Sequence, residues 1–401
     1  MSNTFKVLDM IAKQGLAVAH EKATFLSTIN RQYDSEFKPS GSGRKIGGTL
    51  RIREPNQYTR RQGSRVMDVQ EQDEATQTLT LATQDGVDMG FNSAELTLDT
   101  DNPDQVQAFT ERYIEPAMGT LISGIESDAL AQFTKDIYNL TGTPGTVVGA
   151  SGDISALTNA RAKLNQGLAP MDARAYQIDS LTMGSIVNGK TGLFHPESQV
   201  KKAFTEGYYS RAMGADFYEN ERTYSHTTGA DHTSITVNDT VASGDEVVTL
   251  AGATMTVGTV FTFADVYAVH PESKQSYSHL QQFVVTAVSG NDYTVSPKMI
   301  STGAKKNISA LPANGAAVVA VGSASTAYRQ NLVYHRDAFV FVTADLPKFD
   351  DAHKCVVKNM DGLSVRVWMG SDIRNDELLV RMDILYGFKT VRPAWACRIT
   401  N

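Results

Sequence analysis

The sequence predicts an α+β fold that is split around an inserted β-module, and three observations carry that expectation. Between about Asp231 and Thr326 the chain runs as short Val-, Thr- and Ala-rich strands, whereas its flanks read as long helices and mixed structure. Asn102-Pro103-Asp104-Gln105 is a helix start, and apolar side chains then keep helical spacing from Val106 to Ile137. The host pattern stops near Arg222 and resumes near Tyr328, as expected when one fold is threaded into another.

Length and composition set the outer bounds. With 401 residues, 41% hydrophobic and 20% charged, the chain is expected to form two or three soluble globular domains. A net charge of −7 does not fit the basic footprint of a sequence-reading nucleic-acid binder. Cys355 and Cys397 form no CxxC pair and have no histidine pair nearby, so buried thiols are expected rather than a metal site or a disulfide. No run of about 18 apolar residues is present, so a membrane span is not expected and the cytoplasm is the expected compartment.

The elements follow in order. Phe5, Leu8, Ile11, Leu16, Ala19, Ala23, Leu26 and Ile29 recur at three- and four-residue steps, which predicts an amphipathic helix or helix pair broken near Gly15. Lys38-Pro39-Ser40-Gly41-Ser42-Gly43 ends it. From Arg44 to Arg65 the chain then carries Arg44, Lys45, Arg51, Arg53, Arg60, Arg61 and Arg65 against Glu54 alone, before Asp68, Glu71, Asp73 and Glu74 reverse the sign. So few large apolar side chains predict a projecting hairpin or loop. It reads as a solvated loop, as a hairpin whose limbs attract, or as a limb that docks on a neighbouring subunit.

A strand is expected over Thr76–Leu81. The helix begun at Asn102 is expected to run about 50 Å and to bend at Pro116, where a backbone hydrogen bond is lost. Helices around Ile154–Leu164, Leu181 and Gln199 and strands at Ala175–Ile178 and near Phe217 follow it. Inside the insert, strands at Glu246–Leu250, Val260–Phe263, Tyr267–Val269, Gln282–Val288, Tyr293–Val295 and Ala317–Val321 suggest a small barrel. Strand regions at Asn331–Val342, Ser364–Trp368 and Leu378–Tyr386 complete the host.

Candidates for chemistry are few. Gly184-Ser185-Ile186-Val187-Asn188-Gly189-Lys190-Thr191 spells the phosphate-loop formula, but Leu181–Val187 reads as helix, so a helix C-terminus near Gly189 is favoured over a nucleotide site. His195-Pro196-Glu197-Ser198 and His270-Pro271-Glu272-Ser273 read as turns, since neither has a second histidine at metal-ligand spacing. His226 and His232 flank Gly229 in a Thr-rich linker. No catalytic residue, cofactor site or metal site is assigned.

Longer stretches carry a resemblance. Ile114-Glu115-Pro116-Ala117-Met118, the segment from Gly192-Leu193-Phe194 to Phe204-Thr205-Glu206-Gly207-Tyr208, and Gly214-Ala215-Asp216-Phe217-Tyr218 resemble a tailed-phage major capsid protein. Ala264 to Pro271, Phe283 to Ala287, Leu332 to Phe339 and Tyr386-Gly387-Phe388-Lys389-Thr390-Val391-Arg392-Pro393 are similar to the coat proteins of short-tailed enteric phages. The resemblance implies the Hong Kong 97-like phage capsid fold. On it, residues 1–43 are an N-terminal arm, 44–75 an extended loop, and 76–149 a peripheral domain with a spine helix at 103–138. Residues 150–222 and 328–401 form the axial domain and return strands, and 223–327 an inserted β-barrel.

The resemblance also implies a function: self-assembly of an icosahedral shell around double-stranded DNA, without catalysis. Implied partners are further copies in hexamers and pentamers, a scaffolding protein, a portal protein, decoration proteins, and DNA bound without sequence specificity. The implied location is the virion capsid, assembled in the host cytoplasm. Candidate inter-subunit contacts are Arg51, Arg53, Arg60, Arg61 and Arg65 of the loop with Asp104, Glu111 and Glu115 of the spine helix. Candidate scaffold contacts are Asp9 and Lys13. The insert's stretch Thr236–Glu246 is shorter than the loop that bridges capsomers in relatives. Two alternatives stay open, an encapsulin-like compartment of the same fold and a phosphate-loop nucleotide-binding protein.

Overall fold

The computed structural model describes residues 23–31, 49–63, 65–67, 69–70, 75–92, 113–189, 211–230, 234–348, 354–360 and 363–401. Asp9, Lys13, Asp104, Glu111, Lys190, Thr191, His195, His232 and the expected helix around Gln199 lie outside them. By compactness the chain divides into two units. One takes Met1–Ile52, Thr78–Ala129 and Phe339–Lys389, and the other Arg53–Gln77, Leu130–Ala338 and Thr390–Asn401.

The first unit is built on a five-stranded antiparallel sheet. Its order is Phe339–Ala344, Glu377–Thr390, Leu363–Asp372, Lys354–Met360, with Thr83–Asn92 also paired to Glu377–Thr390. The sequence reading did not anticipate Thr83–Asn92, because Asp85, Asp88 and two glycines dilute the alternation of Val87, Met89 and Phe91. Gly86 is there for space: a Cβ would lie 2.6 Å from the Asp383 carboxylate and 2.7 Å from the Met382 carbonyl. Asp383 is fully buried, and it accepts from Arg366 at 2.6 Å and from Arg381 at 2.7 Å.

The expected N-terminal helix is corrected where it is described. Thr24–Thr28 is a run of turns rather than helix. The Ser27 and Thr28 hydroxyls bond back to the carbonyls of Thr24 and Phe25, taking acceptors that a helix needs. The Phe25 and Leu26 N–H groups donate to Glu126 Oε1 at 2.7 and 3.1 Å. Asn30 then bridges in parallel to Val340, and Phe25 packs on Phe339. A fully buried glutamate of the long helix thus fastens this segment.

That helix runs Glu115–Asp136. Met118, Leu121, Ile122, Ile125, Ala129, Leu130 and Phe133 are buried at helical steps, as the spacing predicts. Tyr113 and Ile114 form a wider i→i+5 turn directly before Pro116, so the lost hydrogen bond is absorbed by a change of winding.

In the second unit a seven-stranded sheet has the order Leu140–Thr141, Ala396–Thr400, Ala327–His335, Arg174–Ile178, Ala215–Glu219, Arg211–Ala212, with Ser225–Thr227 on Ala327–His335. Helices Ser155–Gln166 and Ser180–Gly189 cover it, burying Leu157, Ala160, Leu164, Met183 and Ile186 against Tyr176, Phe217, Val333 and Ile399. Gly184 therefore lies inside a helix. A phosphate cradle needs loop backbone there, so the described part of that motif carries the helix reading.

The insert closes into a six-stranded barrel: Val247–Ala251, Asp292–Ser296, Ser276–Ser289, Val260–Val269, Ala317–Ala320 and Ile235–Val237. Val260–Phe263 and Tyr267–Val269, read as two strands, are one strand with register shifts. Ile235–Val237, the staple that closes the barrel, is too short to stand out in sequence. Phe261, Phe263 and Phe283 fill the centre with ring centroids 5.2 to 6.0 Å apart. The short stretch after Val237 folds back on its own barrel, with Val241 buried and Gly244 N–H donating to the Met299 carbonyl at 2.8 Å.

Host and barrel meet at a paired neck. Thr228 N–H donates to Thr326 O at 3.0 Å and Ser325 N–H to Gly229 O at 2.9 Å, while the Thr254 carbonyl fills the space a Cβ on Gly229 would need. Beside it Gln282 exchanges two hydrogen bonds with the Leu140 backbone, at 3.0 and 2.9 Å. Arg398, 1% exposed, donates to the Ile137 carbonyl at 2.9 and 2.5 Å and to the barrel's Gly258 carbonyl at 2.8 Å. Burial pushes the Arg398 guanidinium down to about 9, so it stays charged near neutral pH.

Replacing Glu126 by Ala removes the acceptor of two buried N–H groups and should lower unfolding free energy by about 3 kcal/mol. Glu126→Gln keeps a carbonyl oxygen at that position and should lose about 1 kcal/mol. Chemical denaturation measures both, and equal losses would mean that packing rather than the acceptor matters.

Candidate assembly surface

Thr49–Arg53 and Thr76–Thr80 pair as a two-stranded ribbon, on which Ile52 and Leu79 are buried and Arg51 and Arg53 are exposed. Beyond the ribbon the Glu54 N–H donates to Ala75 O at 2.9 Å, and Gln77 Nε2 donates to Glu54 Oε1 at 2.5 Å and to Val391 O at 3.0 Å. The base of the loop is thereby fixed.

Farther out, one cross-link holds the two limbs. Thr59 N–H donates to Gln70 Oε1 at 2.8 Å, and Gln70 Nε2 returns a bond to Thr59 O at 2.6 Å. The arginines lie around this clamp. Arg60 donates to Gln62 Oε1 and Arg61 to the Val66 carbonyl, both neutral acceptors. No carboxylate among the described residues pairs with Arg60, Arg61 or Arg65, all three of which are exposed. Asp68, Glu71, Asp73 and Glu74 are outside the described residues.

The sequence reading missed the apolar part of this surface. Val66, Met67 and Val69 are 76, 77 and 80% exposed, and Tyr58 is 56% exposed. These apolar side chains are left to solvent in the described chain. The legible signal was Val66-Met67-Asp68-Val69 itself, between a glycine turn and an acidic run. Gly63 has a left-handed φ of 78° there.

Glu115 occupies the first turn of the long helix and is half-buried. Its expected companions Asp104 and Glu111 are outside the described residues. His270 is a turn residue, its Nδ1 accepting from the Glu272 and Ser273 N–H groups at 3.1 Å, and His226 is buried with Nε2 3.2 Å from Thr259 Oγ1. Among the described residues no group of three or more His, Cys, Asp or Glu is placed to hold a metal. Among the described residues no helix is long and apolar enough to cross a membrane.

A two-stranded ribbon, a long helix, a sheet-and-helix host and a barrel threaded into it together define the Hong Kong 97-like capsid fold. A solved structure from Mycobacterium phage Che8 shares it, with a TM-score of 0.51 at 10% identity over 94% of this chain and 90% of that one. The capsid structure of Cyanophage P-SCSP1u aligns with a TM-score of 0.45 at 12% identity over 88% and 83% of the two chains. The CUS-3 coat protein I-domain is 27% identical over 25% of this chain and 96% of its own, with a TM-score of 0.18. No curated protein is matched. The chain belongs to the P22 coat protein family, whose model, described as P22 coat protein - gene protein 5, matches residues 62–397. It is a structural coat protein of a phage capsid, and many copies assemble into the shell.

Gln70→Ala opens the clamp without touching the ribbon. Hydrogen exchange at the Thr59 amide should accelerate at least about tenfold while the melting temperature stays put, since a surface change rarely exceeds about 0.5 kcal/mol. An unchanged amide would mean that the limbs are held by something other than Gln70.

Proposed function

We propose that the chain builds a closed icosahedral shell of hexamers and pentamers around double-stranded DNA, without enzymatic activity, and that the extended loop is its principal inter-subunit contact. In this reading residues 1–43 are the arm, 44–75 the loop, 76–149 the peripheral domain, 150–222 with 328–401 the axial domain, and 223–327 the inserted barrel. The exposed face of the loop carries the proposal. Arg60, Arg61 and Arg65 lack carboxylate partners among the described residues, and Tyr58, Val66, Met67 and Val69 of the same loop are exposed.

Such a face is a poor use of sequence in a monomer and a good one in an assembly. The apolar tip supplies burial, and the arginines supply steering and register toward acids such as Asp104, Glu111 and Glu115 of a neighbour. Each contact stays modest because every subunit engages several others at once. A net charge of −7 suits a lining that does not grip DNA phosphate. Scaffold contact through Asp9 and Lys13, portal and decoration partners, and assembly in the host cytoplasm complete the reading.

The barrel serves its own subunit. Its short Asn238–Glu246 connection bonds back to Met299 and Thr249 of the barrel, which supports a stabilising module rather than a bridge between capsomers.

Reversing Arg60 and Arg61 to Glu should abolish or sharply reduce closed shells, seen by electron microscopy after co-expression with the scaffold. The free subunit should keep its stability within about 0.5 kcal/mol. Normal shells, or a large loss of subunit stability, would contradict the proposal.

A further inference from the structure

A cleft in the second unit separates the host helix Ser155–Gln166 from the barrel strand Ser276–Ser289. Lys163 and Gln166 line it from the helix, and Tyr277 and His279 face them from the strand. None of its lining residues is an aspartate or a glutamate, although acids outnumber bases 44 to 37 in the chain. The cleft is therefore an electropositive recess in an acidic protein.

Some of its polar groups are already occupied. The Asn139 amide donates to Ala396 O at 3.1 Å, and Gln282 is paired with the Leu140 backbone. Others are not. Among the described residues no hydrogen bond or ion pair engages Lys163 Nζ, the Gln166 amide, the Tyr277 hydroxyl or the His279 ring nitrogens. The His279 ring stacks on Tyr277 with centroids 5.2 Å apart, which leaves its nitrogen-bearing edge for a ligand.

Electrostatics agree with the geometry. Burial lowers the pKa of Lys163, and burial followed by the charge of Lys163 lowers that of His279. Burial disfavours the charged forms of both groups, and an anion seated between the Lys163 ammonium and the His279 imidazole offsets that penalty and favours protonation of the ring. An ammonium, an imidazole, an amide and a hydroxyl offer more donors than the two oxygens of a carboxylate accept comfortably, and they suit a tetrahedral oxyanion.

We propose that this cleft binds a small free oxyanion of the phosphate class, held by Lys163 Nζ and His279 and bridging the host helix to the inserted barrel. The ionisable side chains lining the site are Lys163, His279, Tyr277 and Tyr138. A bound anion raises the His279 pKa and ties two parts of the subunit together.

The test uses the full-length soluble subunit, inorganic phosphate, and sodium chloride and acetate at matched ionic strength. Phosphate should shift the His279 imidazole NMR signal saturably, raise its pKa and raise the melting temperature, while chloride does neither. Lys163→Gln should weaken binding at least about tenfold and Lys163→Arg should retain it. His279→Asn, on the opposite wall, should give a comparable loss and serves should Lys163→Gln fail to fold. A linear response shared with chloride, full affinity in both variants, or acetate binding as tightly as phosphate would each overturn the proposal.

Discussion

One buried cation ties the second unit together. Arg398 sits on the C-terminal strand, and its guanidinium donates to the carbonyl of Ile137, just past the long helix, and to that of Gly258 at the entrance of the barrel. Its backbone N–H also donates to Asn139 O at 2.8 Å. Burying an arginine is expensive, and here the compensation comes from converging neutral carbonyls together with the nearby Asp136 charge. Helix end, barrel mouth and C-terminal strand must therefore all be in place together.

Around that centre the other contacts are ordinary ones. Gln282 adds a bidentate bond to Leu140, and Val260 and Val284 bury the same Leu140 side chain. Thr228 and Thr326 zip the neck. A guest fold connected by two chain crossings alone would behave as an independent domain, whereas these contacts give it a fixed seat on the host.

Legibility in the sequence followed burial. Strands rich in apolar and β-branched side chains, such as Gln282–Val288 and Leu378–Tyr386, lie within the observed elements. The long helix was readable from its apolar stripe, and its end at Asp136 from Thr141-Gly142 beyond. Thr83–Asn92 was not readable, since it uses Gly86 for close approach to Asp383 and spends Asp85 on the Tyr386 hydroxyl. The N-terminal periodicity misled at residues 24–28 because a residue a hundred positions away, Glu126, takes the N–H groups. On the loop the arginines were visible as a charge run, but the exposure of Val66, Met67 and Val69 is a property of the folded chain. Arg398 looked like any late arginine, as the role of its side chain depends on two distant carbonyls, those of Ile137 and Gly258.

The most direct test is native-state hydrogen exchange on Arg398→Met, which keeps the bulk and removes the donors. Amides at 137–141 and 258–260 should lose at least about tenfold in protection, about 1.4 kcal/mol, while Asp292–Ser296 inside the barrel stays protected. Unchanged protection at 137–141 and 258–260 would contradict the claim that this guanidinium seats the barrel on its host.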